Sequence, residues 1–513
     1  MTGDRHGPRL RAEPSTHPGG TGPGAEPQED QERIRRAVDV ARAAQRVWAT
    51  RGVEDRVGVV MGLARVLLHR SERIERTIRA ETGKPRTEAL AEILVSVDLI
   101  RFHGRVAPRV LRRRRTGAGW LLGKSAWVLR EPWGIVGSIS PWNYPFILPM
   151  DTLTPALLAG NGVVLKPSEL TPLSAELIPE LCLEAGIPEG LVQVVVGGAS
   201  TGRALVRSAV DRLVFTGGTE TGRAVMRDAS ERLTPVTLEL GGKDAAIVLD
   251  DADVERAARG IVFGGFFNAG QTCLSIERVY VDERVYDAFV ERVTELVSEL
   301  RAGGSEDVDV GRMITRKQVA VLERHVREAL QRGATALTGG TASPTEPEVW
   351  LPTVLTDVDE SMAVVTEESF GPILPIMRVG DADEAIRRVN DSPYGLFASV
   401  WTRDRRRGER VAGRLRAGGV SVNDVLSHYG APGLPVGGVG WSGFGRRRGV
   451  EALEEMTRTK TLMVSRLHGT AEPWWYPYTR RTERLFEATL AWRAVGGLRG
   501  LVAGVRSFTG GRA

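Results

Sequence analysis

Cysteine is almost absent from this chain: 513 residues carry two, Cys182 and Cys273. A disulfide framework and a CxxC-type metal site are thereby excluded, no metal is expected, and a reducing, cytoplasmic setting fits best. Long hydrophobic runs are missing too. The most apolar late stretch, Leu485 to Val505, is interrupted by Glu487, Arg493 and Arg499, so it falls short of the roughly 20 consecutive apolar residues that cross a bilayer. The first residues are basic, but Gly, Pro, Glu and Ser follow where a secretory signal would need an apolar segment. No block of like charge stands out either. The net charge of +5 comes mostly from arginines scattered along the chain, which reads as biased composition and gives no reason to expect nucleic acid.

What remains is an ordinary soluble composition, 42% hydrophobic and 26% charged, in a chain long enough for two or more lobes with cores of their own. Residues 1–30 lack an apolar period and are rich in Gly, Pro, Glu and Thr, which predicts a disordered leader. Helical spacing then runs through Ile34, Ala37, Val38, Ala41, Ala44 and Trp48, and again through Val60, Leu63, Ala64, Leu67 and Leu68. Short apolar runs at Ile135–Ile139, Val163–Leu165, Leu191–Val196, Leu213–Phe215 and Ala245–Leu249 alternate with helical stretches, which predicts a parallel sheet covered by helices, with ligands beyond the carboxyl ends of its strands. A second α/β series follows, including a strand over Arg278–Val281 and a helix over Val285–Arg301.

The two cysteines sit in contrasting surroundings. Cys182 lies in the apolar helical run Leu181-Cys-Leu and reads as core. Cys273 ends the small, polar turn Asn268-Ala-Gly-Gln-Thr-Cys273, where a thiol is better placed to react. The thiolate is the reactive form, so such a cysteine needs electropositive help or a nearby base, and no catalytic histidine motif accompanies it. Phe215-Thr-Gly-Gly-Thr-Glu-Thr-Gly222 reads as strand, glycine turn and helix start, suited to a phosphate, although it lacks the G-x-G-x-x-G fingerprint. Alone, Asn143 reads better as a turn former before Tyr144-Pro145 than as a catalytic residue. Glu239 follows an apolar strand and precedes Gly241-Gly242, a context that favours a functional carboxylate over a surface one.

Taken together, these segments resemble the aldehyde dehydrogenase superfamily from the helices near residue 31 to the strand near Leu462. The motifs are Pro141-Trp-Asn-Tyr-Pro145, Leu165-Lys-Pro-Ser-Glu169, the Phe215–Gly222 loop, Glu239-Leu-Gly-Gly-Lys243, Asn268–Cys273, Glu368-Ser-Phe-Gly-Pro372 and the glycine-rich run from Pro435 to Gly445. The resemblance implies an α/β fold of that family: a Rossmann-type NAD-binding domain over residues 31–113 and 133–241, an α/β catalytic domain over 242–455, a bridging oligomerisation element over 114–132 and 456–467, and a tail over 468–513. It implies NAD(P)-dependent oxidation of an aldehyde to its acid, with Cys273 as nucleophile, passing through a thiohemiacetal and a thioester. Asn143 would help form the oxyanion hole and Glu239 would be the general base. Trp142, Lys166, Glu169, Gly217, Gly218, Gly222, Glu368 and Phe370 would contact the cofactor. Glu169 accepts hydrogen bonds from ribose hydroxyls but repels a 2′-phosphate, which favours NAD; Lys166 pulls toward NADP. The family also implies a homodimer or homotetramer, bridged by Ser125–Arg130 and Thr459–Val464.

The substrate is read from the wall of the site. Thr272-Cys-Leu-Ser-Ile-Glu-Arg-Val-Tyr280 and the long tail resemble a bacterial succinate-semialdehyde dehydrogenase branch, whereas Val422-Asn-Asp-Val-Leu-Ser-His428 and Pro141–Phe146 resemble enzymes for fatty and aromatic aldehydes. A carboxylate-bearing substrate wants an arginine; the position used in other succinate-semialdehyde enzymes is Asp151 here, which would repel it if it faces the pocket. Tyr144, Ile147, Leu148, Leu274 and Ile276 predict an apolar tunnel instead. A catalytically silent nucleotide-binding or structural relative is the alternative of another class, opposed by the joint presence of Cys273, Glu239 and Asn143. Trp474, Trp475, Tyr476 and Tyr478, followed by arginines, read as a tail packed on the enzyme or a partner subunit, or more sharply as a peripheral membrane contact.

Overall fold

The computed structural model describes residues 28–119, 121, 123–304, 307–466, 471, 472, 474–495, 499, 502 and 505. Residues 1–27 of the expected leader lie outside this set. Gln28, Glu29 and Asp30 do not join a leader, for they open the helix Gln28–Trp48. Glu29 and Asp30 suit the positive end of the helix dipole, and Asp30 accepts hydrogen bonds from Ser200 Oγ at 2.6 Å and Thr201 Oγ1 at 2.9 Å.

Two open sheets form the body, α/β as expected. Across the first, the strands lie in the order Gly443–Phe444, Val236–Glu239, Arg212–Thr216, Ile135–Ile139, Gly162–Lys166 and Val192–Val194. All are parallel except Gly443–Phe444. The second runs Thr335–Thr338, Thr353–Thr356, Ile373–Val379, Ile276–Asp282, Asp244–Val248, Phe397–Trp401 and Gly419–Val422, antiparallel only at its first pair. Helices cover both sheets, so central strands such as Gly162–Lys166 and Ile276–Asp282 are buried at every position. That is why Gly162–Lys166 reads as the continuous apolar run Val163-Val-Leu165 and not as an alternating one, whereas Ile276–Asp282 buries Glu277 and Arg278 by pairing them with Lys243 and the Lys243 carbonyl oxygen. The strand expected over Leu191–Val196 is shorter, Val192–Val194, because Gly197 and Gly198 turn the chain into the next helix.

A third, antiparallel sheet of Arg114–Thr116, Lys124–Pro132 and Thr457–Ser465 joins the segments expected to bridge, with Ser125 opposite Val464 and Arg130 opposite Thr459. Its outer strand exposes Leu462, Met463 and Val464. The tail is pinned to this sheet where the buried Glu472 pairs with Lys124 and accepts from Ser465 Oγ at 3.1 Å. Among the described residues beyond it, the helix Arg480–Val495 follows, and Trp475, Tyr476, Tyr478, Phe486 and Leu490 are exposed. Among the described residues no helix is long and apolar enough to cross a membrane.

Candidate active site

The carboxyl ends of the first sheet's central strands place Ile139, Lys166, Thr216 and Glu239 along one edge, facing the second lobe. Cys273 arrives from that lobe on a strained turn. The helix Val254–Phe266 ends, and Asn268, Ala269 and Gly270 all take left-handed backbone angles, with φ 56°, 54° and 68°. Such angles are costly for non-glycine residues and persist where surrounding bonds enforce them. Here the Asn268 N–H donates to Glu88 Oε1 at 2.8 Å, its side-chain amide donates to Gln271 O at 3.0 Å and Asn143 O at 3.2 Å, and Gln271 Oε1 accepts from the Ile314 N–H at 2.9 Å. Gly270 leaves no room for a side chain, since a Cβ would lie 2.3 Å from the Gly371 carbonyl oxygen.

Cys273 lines two cavities at once. One, of about 360 Å³, is walled by Tyr144, Ile147, Leu148, Phe263, Phe267, Leu274, Leu426 and Tyr429, with Glu88 and Glu92 the only charged residues lining it among the described residues. Of the tunnel residues expected from sequence, Ile276 is the exception. It heads a central strand and is buried in the second lobe's core, packed against Gly264 of the helix Val254–Phe266. The other cavity, of about 390 Å³, is lined by Trp142, Asn143, Thr216, Gly217, Gly218, Glu239, Glu368 and Phe370, with Gln318, Val321 and Arg324 contributed by the helix Arg316–Gln331. Cys182 is buried in the helix Leu173–Glu184, as expected of a core residue.

Burial dominates the electrostatics. It pushes the Cys273 thiol up to about 12, helped by the negative charges of Glu239, Asp244 and Glu368. The Glu239 carboxyl is pushed up to about 8, again by burial first, with Arg447 and Arg446 opposing. Its Oε1 has no hydrogen-bond partner among the described residues. Glu368 is raised by burial and by Glu277, and its Oε1 accepts from the Gly242 N–H at 3.1 Å.

Asn143 is fixed from several sides. Its side-chain amide donates to Gln271 O at 2.9 Å, and its carbonyl oxygen accepts from Lys84 Nζ at 2.9 Å. Lys84 is held in turn by Glu92 at 2.7 Å, and the other Glu92 oxygen accepts the N–H groups of Phe146 and Ile147, both at 3.1 Å, at the start of the helix Ile147–Ala159.

The second cavity could hold a dinucleotide. Gly218 precedes the helix Thr219–Ser230, whose first turn has no side-chain cap, so its N–H groups are free to meet a phosphate. A Cβ on Gly218 would meet nothing within 4 Å. Phe370, at φ 52°, stands edge-on to Trp142 with ring centroids 5.5 Å apart; Glu277 accepts the Ser369 and Phe370 N–H groups at 2.7 and 2.9 Å and is itself held by Lys243 at 2.6 Å.

The structure does not bring Gly222, Lys166 or Glu169 to this wall. Gly222 packs on Leu240, where a Cβ would lie 2.4 Å away, so helix–sheet packing accounts for that glycine. Lys166 is buried at the strand end and donates to the exposed Glu169 at 3.4 Å. Asp151 does not face the tunnel either. It is buried against Tyr429, Arg447 and Arg448, so its charge is answered within the protein and does not meet substrate. Sequence reasoning missed Glu88, Glu92, Phe263, Phe267, Tyr429 and Arg447. The helical periodicity of the Arg86–Val110 stretch signalled a buried face but not which cavity it closes.

The sequence pattern of the aldehyde dehydrogenase family matches residues 16–462. A 4,4'-diapolycopene aldehyde oxidase of a Methylomonas species is 41% identical over 451 residues, 87% of this chain and 84% of that protein. A Mycobacterium ulcerans protein named for NADP-linked succinate-semialdehyde dehydrogenase activity is 38% identical, covering 87% of each chain. A Staphylococcus aureus betaine aldehyde dehydrogenase, solved in complex with NAD+, superposes with a TM-score of 0.82 at 32% identity, covering 87% of this chain and 92% of that one. With its fold, its two-cavity site and these matches, the chain belongs to the aldehyde dehydrogenase family and is an oxidoreductase that acts on aldehydes with NAD(P).

Proposed function

We propose that the enzyme oxidises an extended apolar or aromatic aldehyde to its carboxylic acid, with NAD as the preferred acceptor. The observation that carries this reading is the apolar wall of the cavity beside Cys273, which among the described residues includes no arginine or lysine. A carboxylate-bearing substrate would enter that cavity without a counter-charge and close to Glu88 and Glu92, whereas an apolar chain gains roughly 25 cal/mol for each Å² it buries. The Methylomonas relative is named for an apolar polyene aldehyde, and the same substrate class suits this tunnel.

The aldehyde carbon meets Cys273 where the two cavities join. The Cys273 thiol loses its proton to solvent, and the sulfur adds to the carbonyl carbon. The resulting oxyanion is held by the second hydrogen of the Asn143 amide and by the Cys273 N–H, donors whose placement the Lys84–Glu92 pair secures. Trp142, Glu368 and Phe370 would hold the nicotinamide end of the cofactor, which when bound would accept the hydride that leaves the thiohemiacetal carbon. A thioester remains on Cys273. Glu239 then takes a proton from water, whose oxygen attacks the thioester carbonyl, and the acid and the thiol are released.

Outside the lining of the second cavity but at the carboxyl ends of the same sheet, Glu169 occupies the Lys166 ammonium, which supports NAD because a 2′-phosphate reaching that strand end would find a carboxylate where it needs a free cation. Residues 31–113 and 133–241 as cofactor domain and 242–455 as catalytic domain belong to the same proposal. So does a homo-oligomer formed through the nine-residue edge strand Thr457–Ser465. Pinning of Glu472 to Lys124 favours a tail packed on this sheet or on a partner subunit over one committed to a membrane.

A kinetic panel tests substrate and cofactor together. Long-chain and aromatic aldehydes are expected to exceed succinate semialdehyde in kcat/KM by at least about tenfold, with NAD preferred to NADP. A preference for succinate semialdehyde would sink the substrate assignment, and a strong NADP advantage would sink the cofactor assignment.

A further inference from the structure

Beside Glu239, itself buried, lies a group of buried charges with no step of its own in the reaction. The Arg448 side chain is 0% exposed, Arg447 6%, Asp151 0% and Glu239, on a whole-residue basis, 7%. Asp151 Oδ1 is 3.4 Å from Arg448 Nε, Asp151 Oδ2 is 3.8 Å from an Arg447 nitrogen and also takes the Tyr429 hydroxyl. Arg448 in addition lies 4.1 Å over the Tyr429 ring. Two buried guanidinium groups thus share one carboxylate. His103, close by, does not alter the balance, because burial drives its imidazole down to about 4 and leaves it neutral.

A buried cation without a counter-charge is strongly destabilising, so a second anion is required, and the backbone shows where it is. Arg447 Nη1 donates to Thr216 Oγ1 at 2.6 Å. Thr216 and Glu239 are register partners on adjacent parallel strands, which places their side chains on one face about 4.8 Å apart. The guanidinium anchored on Thr216 is therefore a lateral neighbour of the Glu239 carboxyl. The chain segment carrying Arg447 also runs alongside that strand, with Gly443 opposite Glu239.

We infer that Arg447 is the positioning residue for Glu239: held by Thr216, it supplies the counter-charge that lets the buried carboxyl ionise and act as base. The inference rests on the proposed role of Glu239. The other charges facing Glu239 do not take this part. Arg446 lies on the same segment but is partly exposed and donates to Gly438 O and Gly445 O. Glu455 is engaged by Arg212. Asp151, Glu368 and Cys273 carry no positive charge in either protonation state, so none of them supplies a counter-charge. Burial raises Glu239 while Arg447 is the largest opposing influence, in accord with the geometry.

Thioester hydrolysis, followed as steady-state turnover after the pre-steady-state burst of reduced nicotinamide, reads the effect as a pH profile. In R447M the pH midpoint is expected to move up by at least about one unit, with turnover at pH 7 down about tenfold, burst amplitude kept and KM for aldehyde little changed. R447K is expected to restore the midpoint, and T216V, which removes only the anchor, to shift it upward by a smaller amount. A merely structural arginine would lower stability and burst amplitude without moving the midpoint. If R447M fails to fold, T216V and R447K decide. An unshifted midpoint in folded R447M, or in T216V where R447M does not fold, overturns the inference. E239Q separates this from the reading beneath it: if E239Q still hydrolyses the thioester at the wild-type rate, the role of Glu239 fails first.

Discussion

Replacing Cys273 with alanine is expected to abolish aldehyde oxidation for every substrate, by a factor on the order of 10⁴ or more, because the covalent route has no other nucleophile. Cofactor binding is expected to persist, since the glycine turn at Gly217–Gly218 and the Trp142–Phe370 pair do not depend on the sulfur. Titration of nucleotide binding by fluorescence, beside initial rates from nicotinamide absorbance, checks both halves. The C182A enzyme is the control. Cys182 is buried in the helix Leu173–Glu184, away from both cavities, so its loss should cost about 1 kcal/mol of stability and leave turnover intact. Residual oxidation by C273A above about 1% of wild type would remove Cys273 from the mechanism; loss of nucleotide binding would show that the turn Asn268–Cys273 had collapsed instead.

The second large effect belongs to Glu239. E239Q keeps the shape of the side chain and loses the proton acceptor, so hydrolysis is expected to fall by about 10²–10⁴ and a thioester on Cys273 to accumulate, visible as a mass increment on the intact protein after mixing with aldehyde and cofactor. The working form is the carboxylate. With the carboxyl pushed up to about 8, wild-type hydrolysis should rise with pH and level off above that value, while the residual rate of E239Q should be flat across the same window. Stability moves in the opposite sense. A carboxyl raised on folding contributes stability that is fully present below its unfolded value and is lost as pH rises through the folded one. E239Q should therefore unfold at a higher temperature than wild type at pH 9, with the difference shrinking toward pH 4. A flat wild-type profile between pH 6 and 9 would exclude Glu239 as base.

The reach of the sequence can be judged from particular residues. Cys273 and Cys182 were separable by their neighbours alone, since a polar glycine turn and an apolar helical run impose different environments on the same thiol. The strand Ile135–Ile139 matches the run read from sequence, and the paired strands Lys124–Pro132 and Thr457–Ser465 contain the segments expected to bridge. Asp151 was readable as acidic and close to the site, but not as turned away from it. Ile276, apolar and close to Cys273 in sequence, was expected in the tunnel, yet it packs in the second lobe's core against Gly264. Arg447, in the Arg446–Arg448 run, gave no sign of standing beside Glu239.

The division has a physical basis. Hydrophobic period and turn chemistry are properties of short stretches, and by themselves they marked the α/β class, many of the strand and helix segments and the contrast between Cys273 and Cys182, while the resemblance to a family supplied Asn143 and Glu239 as the expected partners of Cys273. Which side chains converge is decided by packing between segments far apart in the chain. Only the tertiary structure brings Glu88 and Glu92 from one helix, Phe263 and Phe267 from another, and Tyr429 from a late loop around a single tunnel. Likewise only the folded chain sets Asp151 between two arginines and Arg447 on Thr216, because the need to pair buried charge acts through space, where sequence distance has no weight.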